Sequence, residues 1–328
     1  MNTELVQALV GGLLLAFVVV VILMRPYMQL LGWLGFGKHI RAEEPEAHTG
    51  KEGTPTMGGL LMIVVIIVLA LGLGIYDAST YAPLAALGGV GILGGVDDYL
   101  NARRGEGITP RQKLLWQTVV AIAAAIYLQR HYDLLGFRVP FVGDFNVGPV
   151  IWIVVAAFAI ISASNGVNIT DGLDGLAAGT LVFSYIAYLI IAMLNTPNQT
   201  NLAILCAIII GALLGFLWFN VHPAQIFMGD SGSLALGAAL AVTALIAGQV
   251  LILPIIGIIF VIEAGSVVLQ ILAVKTIGRR IFRWTPIHGQ FELGGWDEEK
   301  ITLRYWIVAA LAAMIGVVLF LSSLHLLA

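Results

Sequence analysis

The sequence predicts an all-α polytopic integral membrane protein, with about ten transmembrane helices, both termini outside and a small hairpin on the outer, periplasmic face. Three observations lead to this class. The chain of 328 residues is 59% hydrophobic and only 11% charged, with a mean hydropathy of +0.98. Soluble domains carry about 25% charged residues, so the charge is too sparse to wet a surface of this size. The apolar residues run continuously instead of alternating, which excludes an outer-membrane barrel. The basic residues gather in alternate connections. The same composition excludes disordered, collagen-like, coiled-coil and disulfide-scaffold chains. A formal charge of −3 argues against nucleic-acid binding. The lone Cys206 lies inside an apolar run, so there is no disulfide framework.

Apolar runs place the spans at Leu5–Met24, Met57–Ile75, Pro83–Val96, Leu114–Gln129, Val150–Ser164, Leu176–Leu194, Leu202–Phe219, Ser233–Gly248, Ile252–Val274 and Tyr305–Leu327. The first follows MNTEL, which has no Lys or Arg, and no small-residue cleavage pattern follows Met24; it reads as a retained span, not a signal peptide. Tyr27–Phe36 (YMQLLGWLGF) reads as a separate interfacial helix, with Tyr27 and Trp33 at headgroup level. The one long outer loop, His131–Gly148, contains FRVPFVGDFNVG, a hairpin pattern. No linker or internal repeat stands out, so residues 1–328 form a single transmembrane domain. Of the 16 basic residues only Arg130 and Arg138 fall in connections from even to odd spans. By the positive-inside rule the odd-to-even connections are cytoplasmic.

Five polar clusters interrupt the apolar text, one in each cytoplasmic connection: KEGTPTMGG (Lys51–Gly59), VDDYLNARRGEGITPRQK (Val96–Lys113), NGVNITDGLDGLAAG (Asn165–Gly179), FNVHPAQIFMGDSGSLALG (Phe219–Gly237) and TPIHGQFELGGWDEEK (Thr285–Lys300). The outer face has nothing comparable. Asp97, Asp98, Asp171, Asp174 and Asp230 stand in these connections at helix ends. Asp171 and Asp174 are three apart, so one helical turn would aim both at one point. Each aspartate alone could be a helix cap. Five on one face call for a cation among them, and all-oxygen ligation suits Mg²⁺ or Mn²⁺. His and Cys are too sparse for zinc.

Gly229 and Gly232 flank Asp230 just before span 8, where Ser231 or Ser233 could cap a helix N-terminus that favours an anion; DGLDGLAAG repeats the arrangement before span 6. Gly89–Gly94 spells GxGxxG but lies inside span 3, so with Gly91 and Gly95 spaced as GxxxG it reads as helix packing. The chain has no Walker A loop, and the sequons at Asn168 and Asn198 are taken as chance. Glu263 falls near the middle of span 9, where an acid is functional or paired inside the bundle. His222 and His288 lie in polar clusters; His39, His48, His131 and His325 do not.

On these motifs the chain resembles the phospho-N-acetylmuramoyl-pentapeptide transferase (MraY) family, within the polyprenyl-phosphate sugar-1-phosphate transferases. Asp97-Asp98, NITDGLDGLA and FMGDSGSLALG mark the superfamily; GTPTMGG and the pattern PIHxxFELxGWxExKI point to this branch. The resemblance covers essentially the whole chain. It implies transfer of phospho-MurNAc-pentapeptide from UDP-MurNAc-pentapeptide to undecaprenyl phosphate, releasing UMP and forming lipid I for peptidoglycan synthesis. It implies a Mg²⁺-dependent, multi-pass enzyme of the bacterial cytoplasmic (inner) membrane, a homodimer, with its active site facing the cytoplasm. Residue by residue, it implies that Asp230, with Asp171 as a second candidate, ligates Mg²⁺ and that Asp97 and Asp98 orient or deprotonate the lipid phosphate. Because the second phosphate pKa is about 6, positioning is favoured over proton abstraction. It further implies that Phe227 stacks on uracil beside Asp174 and Lys51, with Thr56, Asn168, Asp171 and Gly229 towards the ribose and diphosphate. Lys113, Asn220 and Gln270 lie around the site, and His288 is catalytic. Glu263 and span 9 are read as bordering the groove for the prenyl chain, so that Glu263→Gln alters lipid kinetics more than nucleotide kinetics.

Two departures from the family pattern stand out. His288-Gly289-Gln290 replaces three consecutive histidines, and Asn101 replaces a lysine three residues after the aspartate pair, where Arg103 or Arg104 could supply the charge. A sister transferase using UDP-GlcNAc or another UDP-amino sugar is the nearer alternative. A cation-coupled transporter is the more distant one, since its acids would lie near the midplane between inverted repeats.

Overall fold

A computed structural model describes residues 3–37, 53–195 and 197–325. Twelve helices and one hairpin follow in chain order: α1 (Thr3–Leu34), α2 (Gly58–Gly72), α3 (Ala78–Arg104), α4 (Pro110–Tyr132), β1 (Gly136–Val139), β2 (Gly143–Asn146), α5 (Gly148–Thr170), α6 (Leu176–Leu194), α7 (Thr200–Asn220), α8 (Gly229–Ile246), α9 (Leu253–Ile256), α10 (Ile258–Ile277), α11 (His288–Leu293) and α12 (Glu298–His325). Within the described residues each expected span falls on a helix, except that Ile252–Val274 is divided at Gly257 between α9 and α10. Eight are long and apolar enough to cross a membrane: α1, α3, α5, α6, α7, α8, α10 and α12. α2 is apolar but has 15 residues, and α4 has 23, with Arg111, Lys113 and Arg130 near its ends.

Of the boundaries that differ from the sequence reading, two have a plain physical reason. The expected interfacial segment from Tyr27 is not separate, because α1 runs unbroken through Pro26 to Leu34 over 32 residues. At 1.5 Å per residue that is about 48 Å, longer than a hydrocarbon core of about 30 Å, so its last turns extend beyond it. α3 does not stop at Val96. It carries Asp97 and Asp98, both buried, as helical residues and ends at Arg104, where Gly105 adopts φ +72°. The two acids stay helical because neighbouring elements satisfy them.

The bundle is built around α8, whose residues Ser231–Ile246 are all buried. Its small side chains admit close backbone approach, the usual packing device where lipid supplies no hydrophobic drive. A β-carbon on Gly237 would collide with Ala163–Ser164 of α5, and one on Gly232 with Met228 and Gly59. Ser164 Oγ and Tyr185 OH donate to the carbonyls of Leu234 and Leu236 at 2.8 and 2.9 Å. α7 is equally buried against α1 and α6. Large apolar side chains such as Val150, Val154 and Phe158 point outward from α5, as a lipid-facing surface requires.

The expected hairpin is present: β1 and β2 pair antiparallel from Gly136–Asn146 to Val139–Gly143, and Phe137 stacks on Trp152 with ring centroids 5.9 Å apart. At the end opposite the polar clusters Asp77 caps α3. Its carboxylate accepts from Ser79 N (2.9 Å) and Ser79 Oγ (2.6 Å), and from Asn201 Nδ2 at 2.7 Å, tying the α2–α3 turn to α7. Burial pushes the Asp77 carboxyl up, but these hydrogen bonds outweigh it and hold the group below the usual range. A depressed pKa means that the stability is present above the unfolded value of about 4 and is lost as pH falls through the folded one. Asp77→Ala is therefore expected to cost about 1 kcal/mol at pH 7. The gap in melting temperature between variant and wild type should narrow as the pH falls below the unfolded value; a gap independent of pH would contradict this reading.

Candidate active site

The five polar connections meet at one end of the bundle. Phe227 N donates to Pro55 O at 2.8 Å, and the Phe227 and Met228 carbonyls accept from Gly58 and Gly59 N–H at 2.9 Å, so GTPTMGG pairs with FMGD. The α3–α4 connection joins through Lys113, the end of α5 through Asn168, and the start of α12 through Glu298, which accepts from Asp174 N at 2.5 Å.

Asp230, in the first turn of α8, sits at the centre. Its Oδ2 lies 2.5 Å from Lys113 Nζ, and its Oδ1 accepts from Asn168 Nδ2 at 2.8 Å. Lys113 Nζ is also 2.7 Å from Asp97 Oδ2, while Asp97 Oδ1 accepts from Ile108 N at 2.6 Å. Asp98 does something different. Its two oxygens accept from Asp230 N (2.9 Å) and Ser231 N (3.0 Å), so it caps α8 from another helix. This corrects the expectation that Ser231 or Ser233 caps α8: Ser233 Oγ donates back to Gly229 O, and Ser231 Oγ is buried without a partner. Gly229 has φ +75°, and a β-carbon there would lie 2.5 Å from Asp98 Oδ2, so glycine is needed on both counts.

A cavity of about 280 Å³ opens beside this cluster, lined by Thr56, Asp98, Asn101, Asn168, Asp171, Asn220, Phe227, Gly229 and Asp230 among others. Asp97 and Asp230 each place a carboxylate oxygen against the same ammonium, that of Lys113. Two carboxylate oxygens within reach of one cation fit a hard divalent ion, which takes one or two carboxylates and completes its shell with water and phosphate oxygens.

Other expected residues are placed differently. Asp171 and Asp174 do not share a helical turn, because residues 171–175 form a non-helical turn between α5 and α6. Asp171 lines the cavity. Asp174 is buried and turns away, accepting from Ala224 N at 3.0 Å and facing His222 Nδ1 at 2.9 Å. Asp174, His222 and Glu298 are close enough to hold a metal ion, but they also tie the α7–α8 loop to this turn and to α12. Before α6 the cap is likewise borrowed: Gly175 N donates to Asn220 Oδ1 at 3.1 Å. Gln270 lies apart from the cavity, its amide bonded to Ile281 N, Phe282 N and Phe282 O. Lys51 lies outside the described residues.

The departures are legible. Asn101 lines the cavity, and Arg103 does not replace the missing lysine, because its guanidinium lies over Phe36 and Tyr99, 5.4 and 6.0 Å from their centroids. A β-carbon at Gly289 would run into the Trp284 indole, so a histidine does not fit there. His288 Nδ1 lies 2.9 Å from Glu263 Oε2, both groups buried, and its Nε2 packs against Gly172 beside Asp171. The acid within span 9 is thus paired inside the bundle. Removing one partner of a buried pair costs about 3 kcal/mol. His288→Ala is expected to melt markedly below wild type, and adding Glu263→Gln should recover part of the loss; no recovery would mean that the pair is not coupled.

Sequence reasoning missed the residues that hold the 171–175 turn: Glu298, and Trp306, whose Nε1 donates to Gly175 O at 3.1 Å. The only available signal was the acidic DEEK at the start of α12.

A helical membrane bundle with an acidic cavity at one end of its core defines the class: a polytopic membrane protein with a built polar site at one end of its helices. Glycosyl transferase family 4 matches residues 80–248, a stretch that includes Asp97, Lys113, Asn168 and Asp230. A phospho-N-acetylmuramoyl-pentapeptide-transferase of Geobacillus sp. (strain WCH70) is 40% identical over 318 residues, covering 95% of this chain and 97% of that one. The protein of that name from Chloroflexus aurantiacus (strain ATCC 29366 / DSM 635 / J-10-fl) is 40% identical over 341 residues, covering 98% and 92%. That from Desulforamulus reducens is 40% identical over 314 residues, covering 92% of each. The chain belongs to glycosyl transferase family 4, among the phospho-N-acetylmuramoyl-pentapeptide-transferases.

Proposed function

We propose that this protein transfers phospho-MurNAc-pentapeptide from UDP-MurNAc-pentapeptide to undecaprenyl phosphate, releasing UMP and forming lipid I at the cytoplasmic face of the bacterial inner membrane. The observation that carries the reading is the Asp97–Lys113–Asp230 bridge, which reaches the polar cavity through Asp230, at the end of the bundle where all five connections converge. Family membership supports the donor and acceptor. A bilayer is implied by the apolar helices, and a homodimer is part of the proposal.

In this reaction an oxygen of the lipid phosphate attacks the β-phosphorus, the bond from that phosphorus to the bridging oxygen breaks, and the electron pair leaves with UMP. Such transfers depend on positioning and charge neutralisation more than on covalent chemistry. Asp230 would hold Mg²⁺, with Asp97 within reach of the same cation and Asp171 across the cavity; bound there, the ion neutralises the diphosphate. Lys113 brings a positive charge to the same point. Asp98 fixes the start of α8 and with it the Asp230 backbone, a positioning role. Phe227 offers a ring to the uracil, Asn168, Gly229 and Thr56 border the ribose and diphosphate, and Lys51, Asp174 and Asn220 belong to the nucleoside side. His288 acts through the Asp171–Gly172 turn.

The test is product identity. Purified protein, undecaprenyl phosphate, UDP-MurNAc-pentapeptide and Mg²⁺ should yield a lipid whose mass equals prenyl diphosphate plus MurNAc-pentapeptide less one water. Chelation with EDTA should stop the reaction and added Mg²⁺ restore it. A lipid carrying the sugar on a single phosphate would overturn the proposed bond cleavage.

A further inference from the structure

A second concave site lies at the end of α10 and shares no residue with the acidic cavity. It encloses about 370 Å³, and Lys275, Arg280, Arg283 and Trp284 are among its walls. The buried Gln270 builds it. By accepting from Ile281 N and Phe282 N (3.1 and 3.0 Å) and donating to Phe282 O at 3.0 Å, Gln270 folds the 279–284 segment back onto the helix. Arg280 and Arg283 are thereby brought to the same pocket as Lys275, one turn from the helix end. None of these three cations, nor the neighbouring Arg279, forms an ion pair among the described residues. By contrast, Lys113 of the acidic cavity is paired twice.

The floor of the pocket is apolar. Ile271 and Val274 line it, and both are also exposed on the outer surface of α10 (48% and 46%), where lipid chains run. A cationic rim at the helix end above an apolar strip that continues down the helix matches an amphiphile with an anionic head. It does not match a free anion, which has no use for the strip. Basic pockets at the cytoplasmic ends of transmembrane helices attract anionic headgroups, and an interfacial tryptophan suits the same depth. The acceptor lipid of the proposed reaction must bring its phosphate to the acidic cavity, so the occupant here is a lipid that does not react.

We propose that Lys275, Arg280, Arg283 and Trp284 form a binding site for the phosphodiester headgroup of an anionic phospholipid, with its chains along Ile271 and Val274. The experiment is native mass spectrometry of the full-length protein in detergent, titrated with dioleoyl phosphatidylglycerol, dioleoyl phosphatidylcholine, undecaprenyl phosphate and inorganic phosphate. Wild type is expected to retain phosphatidylglycerol in preference to phosphatidylcholine. Lys275→Gln/Arg280→Gln/Arg283→Gln should bind phosphatidylglycerol about 100-fold more weakly, roughly fivefold per cation. A control of equal charge change, Arg103→Gln/Arg104→Gln/Arg111→Gln, should bind it as wild type does. If the first triple variant melts early, Arg283→Gln alone should show the fivefold loss. Equal losses in both triple variants would reduce the site to diffuse surface charge and overturn the proposal. So would displacement of phosphatidylglycerol by equimolar inorganic phosphate, or stoichiometric displacement by undecaprenyl phosphate.

Discussion

Asp230→Asn is expected to lower the rate of UMP release by about 10³-fold, a loss of about 4 kcal/mol of transition-state stabilisation, while leaving the melting temperature close to that of wild type. The replacement amide keeps the shape of the side chain, and the oxygen facing Asn168 can still accept its hydrogen bond. What disappears is the charge that Lys113 now neutralises and that a divalent cation would share. Because Asp98 grips the backbone at Asp230 and Ser231 and not the side chain, α8 has no reason to move. Affinity for Mn²⁺, read by paramagnetic resonance, should fall with the rate. A variant that keeps its rate would remove Asp230 from the chemistry.

Gly94→Ala is expected to lower activity by about 100-fold, whereas Gly95→Ala, one residue away, should remain within about twofold of wild type. A β-carbon on Gly94 would be driven into the Asp230 peptide and lie 2.5 Å from Ser231 N. α3 and the start of α8 would have to part, and a displacement of about 1 Å at a reacting centre costs on the order of 10²-fold. Gly95 has nothing within 4 Å of its added β-carbon. Overpacking should also lower the stability of Gly94→Ala by about 1–3 kcal/mol. Comparable activity in the two variants would show that the α3–α8 contact does not place the site.

The same pair shows what could be read from sequence. That the glycines of span 3 serve helix packing was legible, because an apolar run cannot host a soluble nucleotide loop. Which glycines pack was not: Gly91 and Gly94 approach neighbouring helices, a β-carbon on Gly91 lying 2.7 Å from Ile63 Cδ1, and Gly95 does not. The face that α3 turns to α8 depends on tertiary packing and not on the GxxxG spacing. The spans were legible for the reason that makes membrane helices so in general: backbone groups in lipid must be satisfied within the segment. Their ends were less so. α3 carries two acids past its apolar limit because the Lys113 ammonium, Ile108 N and the first N–H groups of α8 receive them, partners that lie 11 to 133 residues away in the chain. The part that Asp174 and Gln270 play in building the fold was not legible either, because each bonds to backbone groups 11 to 50 residues away. In the fold, Asp174 holds a turn and Gln270 holds a loop.

The most direct test of the central claim is UMP release by the purified protein with undecaprenyl phosphate and Mg²⁺, using UDP-MurNAc-pentapeptide and UDP-GlcNAc side by side. Release that requires the muramoyl substrate, the lipid and Asp230 is the expected result, and it would show that His288-Gly289-Gln290 sustains turnover without three histidines. Turnover of UDP-GlcNAc in preference to the muramoyl nucleotide would contradict the assignment and move the protein to a sister activity on the same site.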